Sequence, residues 1–143
     1  MISQRGEGLA ERLAHAHLDA GGRSGTIQVG MDTPRLLVAD YLDAGRLVEC
    51  GNVVIGPARD GGWWLLGLPD PTAAQGLVGV VMSQEDTCAK TEEALGGDVV
   101  RLRTVLDMDT WDDALEIVRD IPISHLAQTM SQRPMSQRSG RSA

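Results

Sequence analysis

Apolar residues recur at helical spacing near the start of the chain. The apolar positions three or four residues apart are Leu9, Leu13, Ala16 and Ala20. This spacing places their side chains on one face of a helix, and the glycine pair that follows is typical of a helix end. The pattern therefore predicts a helix over residues 8–20.

The pattern along the rest of the chain predicts an alternation of helices and strands. Further helices are predicted over residues 35–48, 84–95, 110–120 and 124–130. Strands are predicted over residues 26–29, 52–55, 63–68 and 99–106, with a short strand or extended segment over 78–82. Such an alternation favours a layered α/β fold with a largely parallel sheet.

The predicted fold places three loops at one edge of the sheet. Ligands bind beyond the carboxyl ends of the strands in such sheets, and residues 30–34, 57–62 and 107–109 follow predicted strands. The domain is predicted over residues 1–130. Residues 131–143 are rich in Ser, Gln and Arg, and we expect a disordered tail there.

Charge and composition narrow the classes of function. The 143-residue chain has a net charge of −7, which argues against nucleic-acid binding, because neutralising phosphates requires a basic surface. Nucleotide binding stays compatible, since a divalent cation can bridge carboxylates to phosphates. The chain contains neither a membrane-length apolar run nor a signal-peptide pattern, so a cytoplasmic protein without a membrane partner is expected. Cys50 and Cys88 are expected to be reduced thiols.

The first motif is Asp32-Thr33-Pro34, directly after a predicted strand. One interpretation is structural, because Asp caps a helix and Pro suits its first turn. The other is functional, because a single carboxylate at a strand end can hold a divalent metal on nucleotide phosphates. Both interpretations stay open on this segment alone.

The second motif runs from residue 56 to residue 68 and contains Asp60-Gly61-Gly62-Trp63-Trp64. An Asp-Gly turn between two strands predicts a hairpin. Two glycines also let a ligand approach the backbone, which would make this turn an acceptor-binding edge. Trp63 and Trp64 point to opposite faces of a strand, so one can be buried while the other lines the rim.

Two further motifs have the same double interpretation. Asp107 and Asp109 share a face if their segment is extended and could supply a second metal carboxylate, although Asp109 also suits a helix cap. Ser83 resembles the first residue of a capping box, and the alternative is a phosphate or acceptor contact. The histidines at positions 15, 17 and 125 do not form a metal pair, and we expect them to be structural or solvated.

Together the motifs resemble a known family. They read Gly-x-Asp-Thr-Pro-x-Leu, Gly-Pro-Ala-x-Asp-Gly-Gly-aromatic-aromatic-Leu-Leu-Gly-Leu, Met-Ser-x-x-x-Thr and Asp-x-Asp-Thr-x-x-Asp. Their order and spacing resemble an uncharacterised bacterial family of the GT-A, or nucleotide-diphospho-sugar transferase, superfamily. Relatives of that family include molybdenum cofactor and phospholactate guanylyltransferases. The resemblance covers residues 4–121.

The resemblance implies a three-layer α/β/α sandwich with a mixed, mostly parallel sheet. It implies Mg²⁺- or Mn²⁺-assisted transfer of a nucleotidyl or glycosyl group from a nucleotide or nucleotide sugar to a small acceptor. The catalytic residues would be Asp32 and Asp60, and the metal ligands Asp32, Asp107 and Asp109. The substrate-binding residues would be Thr33, Pro34, Gly61, Gly62, Trp63, Ser83 and Thr87.

The chain also departs from the family pattern. Gly8 and Ala10 stand where the pattern has Asp and Gly, and Trp63 and Trp64 replace Tyr-type residues. The family's opening strand and phosphate loop have no counterpart, so we expect a truncated fold with an open sheet edge that a homodimer could cover. Whether the chain is active as it stands is left open. The alternative is a non-catalytic binding or assembly module that keeps the fold.

Overall fold

A computed structural model of the chain describes residues 3–31, 33, 36–105, 112, 114, 115 and 119. Its helices are α1 (Leu9–Ala20), α2 (Val38–Glu49) and α3 (Thr87–Ala94). Its strands are β1 (Thr26–Val29), β2 (Val53–Pro57), β3 (Trp63–Leu68) and β4 (Val99–Arg101). A 3₁₀ helix, Pro71–Gly79, lies between β3 and α3. Most of the predicted elements are therefore confirmed, with ends that differ by a few residues.

The described strands form a mixed sheet in the order β1-β3-β2-β4. Strand β3 runs antiparallel to β1 and β2, whereas β4 runs parallel to β2. The α/β class and the mixed sheet are confirmed. In the described sheet, however, antiparallel pairings outnumber the parallel one, contrary to the predicted parallel majority. The β2–β3 pair is antiparallel because a short turn joins the two strands, and only antiparallel neighbours can be joined so tightly.

Helices cover both faces of this sheet, which gives the predicted three layers. One face packs against α1, the 3₁₀ helix and α3 through Ala14, Ile55, Leu66, Leu68, Ala74, Leu77 and Cys88. The opposite face packs against α2 through Ala44, Val48, Val54, Trp64, Leu65 and Val105. Consecutive strand residues point to opposite faces, so Val54 and Ile55 enter different clusters. The two strands at the edges of the described sheet are β1 and β4, and the predicted homodimer stays a prediction.

The short strand predicted over residues 78–82 is not present in the structure. Val78 and Gly79 belong to the 3₁₀ helix, and the residues after them are not in a strand. The Asp70 side chain accepts a hydrogen bond from the Thr72 N–H at 2.9 Å, and Pro71 occupies the first turn. This local cap starts a helix that the apolar sequence of Val78–Met82 does not reveal.

The start of α3 also differs from the prediction. The residue at the N-cap is Asp86, and no side chain caps this end. Ser83 lies upstream, with a φ of 60°, and is not part of a capping box. The prediction that it caps this helix is therefore wrong.

A bidentate ion pair joins α2 to the segment after β4. Arg103 donates to both carboxylate oxygens of Asp40, at 2.7 and 2.6 Å, and the Leu37 N–H donates to one of them at 2.7 Å. The hydrogen bonds from Arg103 hold the pKa of the Asp40 carboxyl below its ordinary value. The carboxylate thus stabilises the start of α2 and positions the chain beyond β4.

The chain divides into two compact units, Met1–Asp107 and Met108–Ala143. In the second unit the described residues Asp112, Ala114, Leu115 and Arg119 are helical, within the helix predicted over 110–120. The predicted helix over 124–130 and the predicted tail lie outside the described residues. No helix in the described part of the chain is long and apolar enough to cross a membrane.

His17 is buried between α1 and β1, with 1% of its surface exposed. Its Nδ1 lies 2.6 Å from the Thr26 hydroxyl, and its Nε2 has no hydrogen-bond partner. Burial lowers the pKa of His17 to about 4, because the charged imidazolium would lose its hydration. This neutral, buried ring fits the structural role expected for it.

We expect His17 to make the fold sensitive to mild acid. Its native pKa of about 4 lies below the ordinary 6.5, so the unfolded chain binds more protons between these values and stability falls as the pH falls through this window. The loss between pH 8 and pH 5 is about 2 kcal/mol. Urea unfolding at both pH values measures it. The His17→Asn variant can keep the Thr26 contact. Its free energy of unfolding should fall by about 2 kcal/mol less than that of the wild type between these two pH values.

The matched control is His15→Asn, since His15 is not buried and lies on the same helix. It should keep the wild-type difference between the two pH values. An equal pH dependence in the wild type and in His17→Asn would contradict the assignment.

Candidate functional site

The turn between β2 and β3 is closed by its own backbone and by one carboxylate. The Gly62 N–H donates to Asp60 Oδ1 at 2.8 Å, and the Ala58 N–H donates to the Gly62 carbonyl at 3.0 Å. An Asp side chain that accepts from the N–H two residues later is a common turn-forming device. The predicted hairpin is therefore confirmed, and its turn fixes the position of the Asp60 carboxylate.

This turn packs directly on the segment that begins α3. The Cys88 N–H donates to the Gly61 carbonyl at 2.8 Å. Gly61 has a φ of 92°, and a Cβ at this position would lie 2.0 Å from the Glu85 carbonyl oxygen. The glycine is thus required by a close approach of protein backbone, whereas the sequence had suggested the approach of a ligand.

The two tryptophans lie on opposite faces of the sheet, next to a β-bulge. Gly56 lies opposite Leu65 and Pro57 lies opposite Trp63, so Trp64 is the extra residue. Trp64 is 1% exposed and packs in the cluster beneath α2. Trp63 packs on the other face, and its Nε1–H donates to Thr91 Oγ1 at 3.2 Å. The prediction that one tryptophan is buried while the other reaches the rim is confirmed.

The loop before α3 is held by Thr87. The Thr87 hydroxyl donates to the Val81 carbonyl at 3.0 Å and accepts from the Gln84 N–H at 3.0 Å. Both bonds tighten the turn in which Ser83 adopts its positive φ. The loop therefore has a defined shape next to the hairpin turn.

These segments, together with α1 and the end of β1, enclose a cleft of about 530 Å³. Its described lining residues are Leu9, Leu13, Gln28, Val29, Gly30, Met31, Asp60, Gly62, Trp63, Met82, Ser83 and Thr87. A volume of this size is in the range of small-molecule sites. Five predicted site residues thus come together at the cleft, namely Asp60, Gly62, Trp63, Ser83 and Thr87.

The remaining predicted residues lie elsewhere or are not described. Gly61 packs against Glu85 and is not among the lining residues, and Thr33 is buried with 6% of its surface exposed. The predictions for Asp32, Pro34, Asp107 and Asp109 fall outside the described residues. Gly30 and Met31, which directly precede Asp32, do line the cleft.

The structure adds Gln28 to the site, which the sequence analysis had missed. Gln28 shares a face of β1 with Thr26, because residues two apart on a strand point the same way. Its Oε1 is buried and has no hydrogen-bond partner. A polar residue alternating with apolar ones in a short strand was the available signal. Leu9 and Leu13 were predicted as one face of α1, but nothing in that periodicity predicted a ligand.

A metal site is not formed by the described residues alone. Among them, no three His, Cys, Asp or Glu side chains are grouped as metal ligands would be. Asp60 is the only ionisable side chain among the described lining residues. The metal-ligand roles predicted for Asp32, Asp107 and Asp109 stay predictions.

The fold defined here is that of the nucleotide-diphospho-sugar transferases. A crystal structure from Desulfovibrio desulfuricans G20, provisionally described as a nucleotide-diphospho-sugar transferase, matches with a TM-score of 0.80 and 25% sequence identity. The match covers 90% of this chain but 61% of that protein.

The family is shown by the sequence itself. Residues 1–84 match the family described as "Uncharacterized protein conserved in bacteria (DUF2064)", and the chain belongs to this family. No curated protein matches the chain. The superfamily resemblance seen in the motifs is thus supported.

Substituting Gly61 should disrupt the site through its backbone. Gly61→Ala is expected to lower the free energy of unfolding by about 2–4 kcal/mol, because the added Cβ meets the Glu85 carbonyl and the positive φ is strained. Chemical denaturation measures this loss.

The control is Gly45→Ala in α2, where an added Cβ meets nothing within 4 Å. A helix gains about 0.5–1 kcal/mol from such a change. A Gly61→Ala variant as stable as the wild type would refute the packing of the turn on Glu85.

Proposed function

We propose that the protein is a metal-dependent transferase that moves a nucleotidyl or glycosyl group from a nucleotide or nucleotide sugar to a small acceptor. The observation that carries the proposal is the cleft, in which Asp60, Gly62, Trp63, Ser83 and Thr87 meet. The similarity to the Desulfovibrio protein supports the donor class. The chain spans 61% of that protein, so the activity of the whole relative enters here as a proposal.

Asp60 is proposed as the general base. One of its oxygens accepts from the Gly62 N–H, which leaves the second oxygen free to take a proton from an acceptor hydroxyl. The acceptor oxygen then forms a bond to the phosphorus or sugar carbon of the donor. The bond to the leaving phosphate breaks with its electron pair, and the proton stays on Asp60.

Asp32 is proposed as the main metal ligand, with Asp107 or Asp109 as a second carboxylate. Oxygen ligands of this type suit Mg²⁺ and Mn²⁺. A bound metal would neutralise the charge that develops on the leaving phosphate. Gly30 and Met31 support this assignment, because they line the cleft directly before Asp32.

The first test is a thermal-melt panel with Mg²⁺ or Mn²⁺ and the common nucleotides and nucleotide sugars. A ligand at a hundred times its dissociation constant should stabilise the fold by about 2.7 kcal/mol. We expect one donor to do so only with metal, and Asp32→Asn to remove the metal-dependent part. A shift that survives unchanged in Asp32→Asn would refute its role as a ligand.

The same panel separates the transferase from the alternative. A cooperative melt that no nucleotide moves would favour the non-catalytic binding module. That outcome would leave the fold assignment intact, since the fold does not depend on a bound donor.

The second test addresses Asp60. With the donor found in the panel, Asp60→Asn should keep donor binding but slow the release of nucleotide product by at least about 100-fold. Asn can still accept the Gly62 N–H, so the turn is preserved. The control is Asp43→Asn, which removes the same charge from a carboxylate on α2 that is 62% exposed. This variant should release product at the wild-type rate. If Asp60→Asn released product at the wild-type rate, Asp60 would not be the general base.

A further inference from the structure

Ser83 is the one non-glycine residue in the described part of the chain with a positive φ, which is 60°. A left-handed backbone is unfavourable for a residue with a Cβ, whereas glycine adopts it without strain. Ser83 is exposed and lines the cleft, and its hydroxyl forms no hydrogen bond within the described residues. The loop therefore keeps a serine in a strained conformation although the fold makes no hydrogen bond to its side chain. Strained residues of this kind cluster at binding sites.

Thr87 holds this strained backbone in place. Its hydroxyl donates to the carbonyl of Val81, two residues before Ser83, and accepts from the N–H of Gln84, the residue after it, both at 3.0 Å. The Thr87 N–H also donates to the Gln84 carbonyl at 3.1 Å. Thr87 is 3% exposed, and the single proton of its hydroxyl is already donated. Ser83 thus has a proton to donate to a substrate, whereas Thr87 has none.

The same turn of α3 also holds the loop that carries Asp60. The N–H of Cys88, the residue after Thr87, donates to the Gly61 carbonyl at 2.8 Å. Asp60 and Ser83 both line the cleft. Two adjacent residues of one helix therefore fix the two loops that bring these polar side chains to the cleft.

We propose that Ser83 binds the substrate in this cleft by donating its hydroxyl to a substrate oxygen, and that Thr87 is a positioning residue that acts only through Ser83. The inference rests on the proposed function, since the cleft must bind one of the substrates of the transfer. It gives the serine and the threonine of the Met-Ser-x-x-x-Thr motif different roles. The serine contacts the substrate, and the threonine maintains the backbone conformation that presents the serine.

The first test measures melting temperatures of the full chain without nucleotide. Ser83→Gly should melt at the wild-type temperature or up to about 4 °C above it, because glycine removes the backbone strain. Ser83→Ala keeps that strain and should melt like the wild type. Thr87→Val should melt about 2–6 °C lower, because it leaves two backbone groups without their partner, and Thr87→Ser should recover most of this loss. A lower melting temperature for Ser83→Gly would show that the serine stabilises the fold and would overturn the inference.

The second test is a double-mutant cycle on turnover. The probes are the nucleotides and nucleotide sugars of the melt panel with Mn²⁺, and the readout is the rate at which diphosphate or nucleoside diphosphate is released. Ser83→Ala and Thr87→Val should each lower this rate by about five- to tenfold. The double variant should be no slower than either single variant, because Thr87 acts through the hydroxyl that Ser83→Ala removes. Thr87→Ser should restore most of the wild-type rate.

The matched control is Thr72→Val. The Thr72 hydroxyl donates to Asp70 at the start of the 3₁₀ helix, and Thr72 is not among the described lining residues, so this variant should keep the wild-type rate. Losses that multiply in the double variant would refute the action of Thr87 through Ser83. A wild-type rate in Ser83→Ala would refute the contact with the substrate.

Failure of the inference is distinguishable from failure of the proposed function. If the wild type binds a probe but releases no product, the transfer reaction is rejected. The role of Ser83 is then decided by the rise in melting temperature that the probe causes, which Ser83→Ala should reduce and Thr72→Val should not. A wild-type chain that binds none of the probes would overturn both.

Discussion

The carbonyl of Gly61 accepts a hydrogen bond from the Cys88 N–H, and this contact joins the β2–β3 turn to the first turn of α3. The joint needs a residue without a Cβ, because the Glu85 backbone occupies the space that a side chain would fill. Every polar group on the hairpin side of the cleft depends on it. If the turn moved away, the Asp60 carboxylate would no longer face the loop that carries Ser83 and Thr87.

The alternation of Trp63 and Trp64 along β3 is the second constraint on the site. It lets neighbouring aromatic residues contribute to two layers, with Trp64 filling the core beneath α2 and Trp63 forming a wall of the cleft. The Trp64 N–H is held by the Arg103 carbonyl at 3.1 Å, close to the point where Arg103 pairs with Asp40. These contacts thus support the rim of the cleft from the opposite face of the sheet.

The described walls of the cleft are mostly apolar, and Asp60 is their one ionisable side chain. Under the proposed function, the phosphates of a donor would be held through a metal. Asp32, its proposed main ligand, directly follows Gly30 and Met31 in the sequence.

The sequence by itself determined the class of fold, the elements with strong periodicity and the hairpin turn. These follow from local rules, such as the spacing of Leu9 and Leu13 on α1 and the Asp-Gly signal at Asp60. The motif order also led to the superfamily, which the structural match supports. The 3₁₀ helix at Pro71–Gly79 escaped prediction because its apolar residues resemble a strand and only the Asp70 cap marks its start.

Tertiary structure alone decided the antiparallel pairing of β1 with β3, the reason for Gly61 and the place of Gln28. A glycine reads the same whether a ligand or a neighbouring backbone approaches it, and only the position of Glu85 separates the two cases. Likewise, a glutamine in a strand shows no sign of being buried without a partner until α1 and the hairpin turn close around it. Both properties arise from contacts between segments far apart in the chain, which local residue patterns do not encode.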